Sequence, residues 1–236
     1  MEVVEPAKKR GDLAIRAASA FVMLAVALVA LWLGGIAFDL FVTAVAAATF
    51  IEFLNMIRRT SFGKGARFGW TIFAALYVGI AAFLLMQVEN KLVLALIIGI
   101  VIWTDTLAYF FGKTLGGPKL APRISPNKTW AGLLGGTVGA TIALAIYYTY
   151  GASPHGAVYY PFIDYARLIV PGAIMAVLAQ SGDLLESWLK RRAGMKDSST
   201  LIPGHGGVFD RTDGIIPVVL TIAGALYLYY PEWLAA

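Results

Sequence analysis

The sequence predicts an all-α, polytopic integral membrane bundle of about seven transmembrane helices, with its N-terminus on the cytoplasmic side. Three observations lead there. The 236 residues are 59% hydrophobic and 14% charged, with a mean hydropathy of +0.74. A soluble domain carries about a quarter charged residues, so one globule cannot hide this much apolar side chain and lipid is the remaining solvent. The apolar residues fall in seven runs, near 17–34, 36–57, 68–88, 92–111, 129–150, 168–189 and 214–231, and the basic residues gather on alternate connections.

Each run is about the 17–25 residues that a helix needs to cross the hydrocarbon core. The runs are continuous rather than alternating, and a lipid-exposed backbone must satisfy its own hydrogen bonds, so helices are expected and a β-barrel is not. Residues 1–16, MEVVEPAKKRGDLAIR, are polar and mixed in charge and read as a retained cytoplasmic tail. The apolar run behind them is too long for a cleaved signal and has no small-residue cleavage site. Residues 17–236 then form one membrane domain, without internal repeat or low-complexity linker.

Charge orients the bundle. The tail holds Lys8, Lys9, Arg10 and Arg16; the second connection holds Arg58, Arg59, Lys64 and Arg67; the fourth holds Lys113, Lys119, Arg123 and Lys128. The sixth holds Lys190, Arg191, Arg192, Lys196 and Arg211, leaving only Lys91 and Arg167 on the opposite side. By the positive-inside rule the N-terminus is cytoplasmic and the C-terminus outside. The net charge of +5 therefore reports topology rather than a nucleic-acid partner. With no cysteine in the chain, disulfides, thiolate metal sites and cysteine nucleophiles are excluded.

The sixth span ends AQSGDLLESWLKRR, where Asp183, Glu186, Ser187 and Lys190 occupy offsets 0, +3, +4 and +7, one stripe of a helix. Asp183 lies about 9 Å inside the helix end expected at Leu189. An ionisable residue at that depth marks function unless it is neutralised, for instance by Lys190. The following connection reads KDSSTLIPGHGGVFDRTDG and adds Asp210 and Asp213 on either side of Arg211. Four carboxylates around a glycine loop can converge on one hard cation, and oxygen ligands without cysteine suit magnesium. Lys190, Arg191, Arg192, Lys196 and Arg211 can balance a multiply charged phosphate ligand, although three of them are also ordinary positive-inside flank. Gly204, Gly206 and Gly207 around His205 permit an anion-binding nest or a plain turn. His155, in the outer connection 151–165, has no partners in the sequence.

The fourth connection is parallel. Asp105 lies six residues before the helix end at Phe111, matching Asp183 in depth, and LAPRISPNKTWAG places Ser125, Asn127, Lys128 and Thr129 just before the fifth span. Ser125 reads as a helix cap; the same geometry, with Lys128, can receive phosphate. Asp39 and Glu52, near the two ends of the second span, read as interfacial.

Ser187–Gly214, SWLKRRAGMKDSSTLIPGHGGVFDRTDG, resembles the signature of the phosphatidate cytidylyltransferase (CDP-diacylglycerol synthase) family. Ser187, Lys190, Arg191, Lys196, Asp197, Pro203–Gly207, Asp210, Arg211 and Asp213 all fall in register. The segment DTLAYFFGK…LAPRISPNKTW is similar to a second characteristic stretch, so the resemblance covers about the C-terminal 130 residues. The family pattern has glycine where Leu107 stands and glutamate where Ala131 stands, and members often have eight or nine helices. The resemblance implies a membrane bundle, typically a homodimer, with a polar cavity open to the cytoplasm of a bacterial inner membrane. It implies the reaction of CTP with phosphatidic acid to give CDP-diacylglycerol and pyrophosphate. It also implies a divalent metal such as Mg2+ on Asp183 and Asp210, with K+ beside it in some members. Lys196, His205 and Arg211 would then grip phosphates, while Ser125, Asn127, Lys128, Ser187, Lys190, Arg191, Asp213 and Asp105 would bind substrate. A CTP-dependent polyprenol kinase or a CDP-archaeol-type synthase shares CTP, membrane and metal. A secondary transporter also buries charge, but inverted repeats and broken helices at matching positions are not found.

Overall fold

The computed structural model describes residues 7–150 and 162–230. His155 and most of the expected outer connection lie outside the described residues. The helices run α1 Ala7–Leu33, α2 Gly35–Arg59, α3 Lys64–Met86 and α4 Lys91–Thr114. A hairpin follows, β1 Lys119–Ala121 and β2 Ser125–Thr129, and then α5 Trp130–Tyr150, α6 Phe162–Ala166, α7 Ile169–Ala193, α8 Phe209–Thr212 and α9 Ile215–Tyr229.

Six of these helical stretches are long and apolar enough to cross a membrane. The seventh expected span, near 214–231, is the 15-residue α9, apolar but shorter than the others. Two ends shift outward from the sequence reading. The first helix begins at Ala7, well inside the expected tail. The sixth span continues from Leu189 to Ala193, where Lys190, Arg191 and Arg192 complement the C-terminal end of the helix dipole. Gly194, at φ 67°, then ends it in the left-handed conformation that glycine adopts without a Cβ penalty.

The bundle is stitched by close backbone approach. In lipid no hydrophobic force draws helices together, so packing of small residues carries much of the association. The α4–α5 seam shows this. A Cβ added at Gly135 would overlap the Leu107 carbonyl oxygen and lie 2.6 Å from Phe111 Cβ, and one at Gly139 would overlap the Trp103 carbonyl. The α5–α7 contact repeats the device, with Gly172 set against Thr141. Phe53, Met56, Ile97, Ile100, Val218 and Val219 fill the interior between α2, α4 and α9. Outside, Phe21, Trp32, Ile36, Phe68, Leu134, Val170 and Leu228 are exposed, an apolar girdle that only lipid accommodates.

The fourth connection departs from the expectation of a loop leading into a helix capped by Ser125. Ala121 to Ile124 closes a turn, Ile124 N donating to the Ala121 carbonyl at 3.0 Å, with Pro122 at its second position, where fixed φ favours a turn. The flanking residues pair antiparallel, Lys119 with Thr129 and Ala121 with Ser125. Ser125 is therefore a strand residue, and Thr129 Oγ1 takes the capping bond from Gly132 N at 3.0 Å.

Because the α4–α5 seam has no room for side chains, Gly135→Val and Gly139→Val are expected to destabilise the protein by roughly 1–3 kcal/mol, seen as earlier thermal unfolding in detergent. Gly99→Ala, whose new methyl would meet only Ala143 Cβ at 3.9 Å, is expected to leave the midpoint unchanged or slightly raised.

Candidate active site

The stripe on α7 is the first wall. Ser187 Oγ donates to Asp183 Oδ1 at 3.1 Å. Lys190 Nζ donates to Glu186 Oε2 at 2.7 Å and to Asp210 Oδ1 at 2.6 Å. From β2, Lys128 Nζ lies 2.6 Å from Asp183 Oδ2. Gly182 brings up the start of α9, since an added Cβ there would overlap the Asp213 carbonyl oxygen. At the end of α7, Arg191 Nε donates to the Ile124 carbonyl at 3.3 Å and ties the hairpin turn to the helix.

Asp183, Glu186 and Asp213 each offer one carboxylate oxygen within 4.8 Å of the others. Glu186 is 1% exposed and its Oε1 has no hydrogen-bond partner among the described residues. An orphaned buried oxygen between two further carboxylates is costly as it stands. The donor set, oxygen only and rich in charge, fits a hard divalent cation. Asp210, expected to stand with Asp183, is not in this trio. Lys190 takes its Oδ1, while Ser198 N and Gly207 N donate to its Oδ2 at 2.9 and 2.8 Å and Ser198 Oγ lies 2.9 Å from it.

The two aspartates of the loop are tuned in opposite directions. Burial works to raise the Asp210 carboxyl, but the contacts from Glu186 and Lys190 and the amides of Gly207 and Ser198 together hold it well below the usual carboxylate range. Burial, and then the charge of Asp183, push Asp213 up to about 7 against the lowering effect of the Gly214 amide.

Of the expected substrate-binding residues, Asp105, Ser125, Asn127 and Lys128 line one of two cavities, Ser187, Lys190, Arg191 and Asp213 line neither, and the expected phosphate-gripping residues line the second. The first, of about 560 Å³, is lined by Asp105, Ser125, Asn127, Lys128, Gln180 and Asp183 among others. The second, of about 430 Å³, gathers Lys196, His205 and Arg211, together with Arg16 from α1. The acid–lysine chain of Asp183, Glu186, Lys190 and Asp210 links the elements that build the two cavities. Neither Leu107 nor Ala131 lines either one.

Residues 59–229 match the model of the cytidylyltransferase family. The chain belongs to the cytidylyltransferase family. It is 34% identical to the phosphatidate cytidylyltransferase of Brucella abortus, over 92% of this chain and 93% of that protein. The same figures hold for the Brucella suis phosphatidate cytidylyltransferase. The Rickettsia prowazekii phosphatidate cytidylyltransferase is 44% identical over 59% of this chain and 60% of its own length.

In this cytidylyltransferase the structure also corrects one reading. Glu52, taken as interfacial, is 4% exposed and reaches the signature loop. Its carboxylate accepts from Ser198 Oγ at 2.8 Å, Ser199 Oγ at 2.6 Å, Val208 N at 3.0 Å and Phe209 N at 2.7 Å. Its neighbours on the same face of α2 hold the loop too. Thr49 Oγ1 lies 3.1 Å from Thr212 Oγ1, and the Phe53 ring stacks on Phe209 at 5.0 Å. A glutamate within the apolar run TFIEFLNMI was the available signal; its partners, about 150 residues on, were not. Gln180, on the wall of the first cavity, carries no such signal in the sequence.

Replacing Glu52 by Gln puts an amide NH2 against hydrogen-bond donors. Glu52→Gln is expected to speed hydrogen exchange at the Val208 and Phe209 amides by roughly 10–100-fold, the loss of a charge-assisted bond, while α4 and α5 amides keep their protection. Mass-spectrometric exchange on the detergent-solubilised protein measures both.

Proposed function

We propose that the protein transfers CMP from CTP to phosphatidic acid, giving CDP-diacylglycerol and pyrophosphate. Relatives that carry the name phosphatidate cytidylyltransferase along nearly their whole length support this reading. The observation that carries it in the structure is the Lys128–Asp183 pair, set in a cavity of about 560 Å³ and backed by the trio of Asp183, Glu186 and Asp213.

A phosphate oxygen of the lipid forms a bond to the α-phosphorus of CTP. The bond from that phosphorus to the bridging oxygen breaks, and pyrophosphate leaves with the electron pair. Both reactants are anions, so the main barrier is repulsion rather than activation of the nucleophile. Lys128 presents an ammonium group on the cavity wall, where it offsets the charge of a triphosphate. Lys190, held between Glu186 and Asp210, keeps the inner acids from repelling the nucleotide. Ser125 and Asn127 offer neutral donors that orient it, and Asp105 offers an acceptor for its hydroxyl or amino groups. Asp183, Glu186 and Asp213, with Asp210 across Lys190, are the residues that would hold Mg2+, which supplies positive charge to the phosphates when bound. We place the protein in a bacterial inner membrane as a homodimer, with the site and the N-terminus facing the cytoplasm. The basic connections support that orientation.

Purified protein given phosphatidic acid and Mg2+ is expected to carry α-phosphate label and cytidine from CTP into lipid. Label arriving only from the γ-phosphate would make it a kinase instead. Asp183→Asn is expected to lower the transfer by about two orders of magnitude, on the scale of losing an electrostatic group at a reacting phosphate, with an unchanged thermal midpoint showing that the fold survives.

A further inference from the structure

The second cavity has features that the nucleotide reading leaves unused. Its volume is about 430 Å³, and its basic groups come from three separate segments: Arg16 on α1, Lys196 after α7 and Arg211 on α8. Among the described residues, none of the three is in an ion pair. Arg211 spends one donor on the His205 carbonyl at 2.8 Å and keeps the rest of its guanidinium. Among the described residues Asp197 is the one carboxylate in the lining. Three cations against one anion leave a net charge of about +2, the complement of a phosphate monoester, whose charge near neutral pH is about −1.5 to −2.

The cavity is built by contact between α1 and the signature loop. Ser19 Oγ lies 2.8 Å from the Pro203 carbonyl and 2.8 Å from His205 Nδ1. Gly204, at φ +75°, leaves the space that Arg16 fills, since a Cβ there would come within 2.7 Å of Arg16 Cγ. Gly206, on the same wall, has Asp210 behind it: an added Cβ would lie 2.7 Å from Asp210 Oδ2. This anion site therefore backs directly onto the acid–lysine chain.

The surroundings decide between a nucleotide and a lipid. Arg16 stands near the start of the apolar stretch Ala14–Leu33. The next turns of α1 expose Phe21, Val22 and Leu24, each more than half accessible. A water-borne triphosphate has no use for these exposed apolar side chains, whereas a phosphate head on acyl chains matches both parts.

We infer that Arg16, Lys196 and Arg211 form a binding site for the phosphate monoester head of a membrane lipid, with the exposed apolar side chains of α1 meeting its acyl chains. This rests on the CMP-transfer reading, in which that lipid is the acceptor substrate. It assigns a binding role to Arg16, which lies outside the residues 59–229 that match the family.

The test varies phosphatidic acid in mixed micelles at saturating CTP, and then CTP at saturating lipid, for wild type, Arg16→Gln, Arg16→Lys and the control Arg58→Gln. Arg16→Gln is expected to raise the KM for phosphatidic acid roughly tenfold, the loss of one charge-assisted phosphate contact. The KM for CTP should stay within twofold, Arg16→Lys should recover part of the loss, and Arg58→Gln should match wild type. An unchanged lipid KM, or a rise in the CTP KM alone, overturns the assignment. Should wild type transfer no CMP, the functional reading fails, and the site is then judged by binding alone. Dioctanoyl phosphatidic acid, but neither inorganic phosphate nor dioctanoyl phosphatidylcholine, is expected to raise the thermal midpoint of wild type and not of Arg16→Gln. Equal shifts in both proteins, or a shift with inorganic phosphate, overturn it. Lys196→Gln and Arg211→Gln take the place of Arg16→Gln if that variant does not fold.

Discussion

The carboxylate of Glu52 is buried in an apolar helix and in no ion pair among the described residues, and its two oxygens accept hydrogen bonds from two serine hydroxyls and two backbone amides of the signature loop. A bare charge in that position would be prohibitively costly, so the helix and the loop specify each other: α2 needs the donors, and the loop needs the acceptor to hold its irregular backbone. The loop has little apolar surface of its own, apart from Phe209 stacked on Phe53. Ser198 passes the constraint on, because its hydroxyl lies 2.8 Å from Glu52 Oε2 and 2.9 Å from Asp210 Oδ2. Gly207 allows the approach, since any Cβ there would collide with Ser198 Oγ and with the Glu52 carboxylate. Asp210 is thus placed by a helix that carries none of the family signature.

From Asp210 the charges run inward through Lys190 to Glu186, and then to Asp183, which is paired with Lys128. Two lysines do not neutralise the acids gathered there once Asp213 and Asp105 are included. The deficit shows as a Glu186 oxygen without a partner among the described residues, and burial with the charge of Asp183 pushes the Asp213 carboxyl up to about 7. A protein fold that stopped at internal pairing would gain from replacing such a group with apolar side chains. Retaining it makes sense where a cation and a polyphosphate complete the balance.

The glycine seam between α4 and α5 fixes the other half of the geometry. Close contact of those helices sets the hairpin, and with it Lys128, against α7. Arg191 bound to the Ile124 carbonyl closes the same side. Precision at Asp183 therefore depends on small residues far down the bundle as much as on the polar residues around it, because lipid-embedded helices hold their spacing through packing.

By itself the sequence determined what can be read locally. Hydropathy over some twenty residues places the spans, and the 3.6-residue period puts Asp183, Glu186, Ser187 and Lys190 on one face before any neighbour is known. The spacing from Ser187 to Asp213 carries the family. Helix ends were less legible, since α1 and α7 run on into polar residues where hydropathy falls but the backbone pattern continues. Only the tertiary structure decided which residues meet across long separations. Glu52 meets residues 198–209, Arg16 and Ser19 meet the loop at 203–205, and the hairpin sets Ser125 in a strand. It also set the expected phosphate-gripping residues Lys196, His205 and Arg211 in a different cavity from Ser125, Asn127 and Lys128. Periodicity and composition describe a residue's own neighbourhood along the chain, whereas a buried carboxylate's partners are chosen by how the helices pack, and that choice has no local signature.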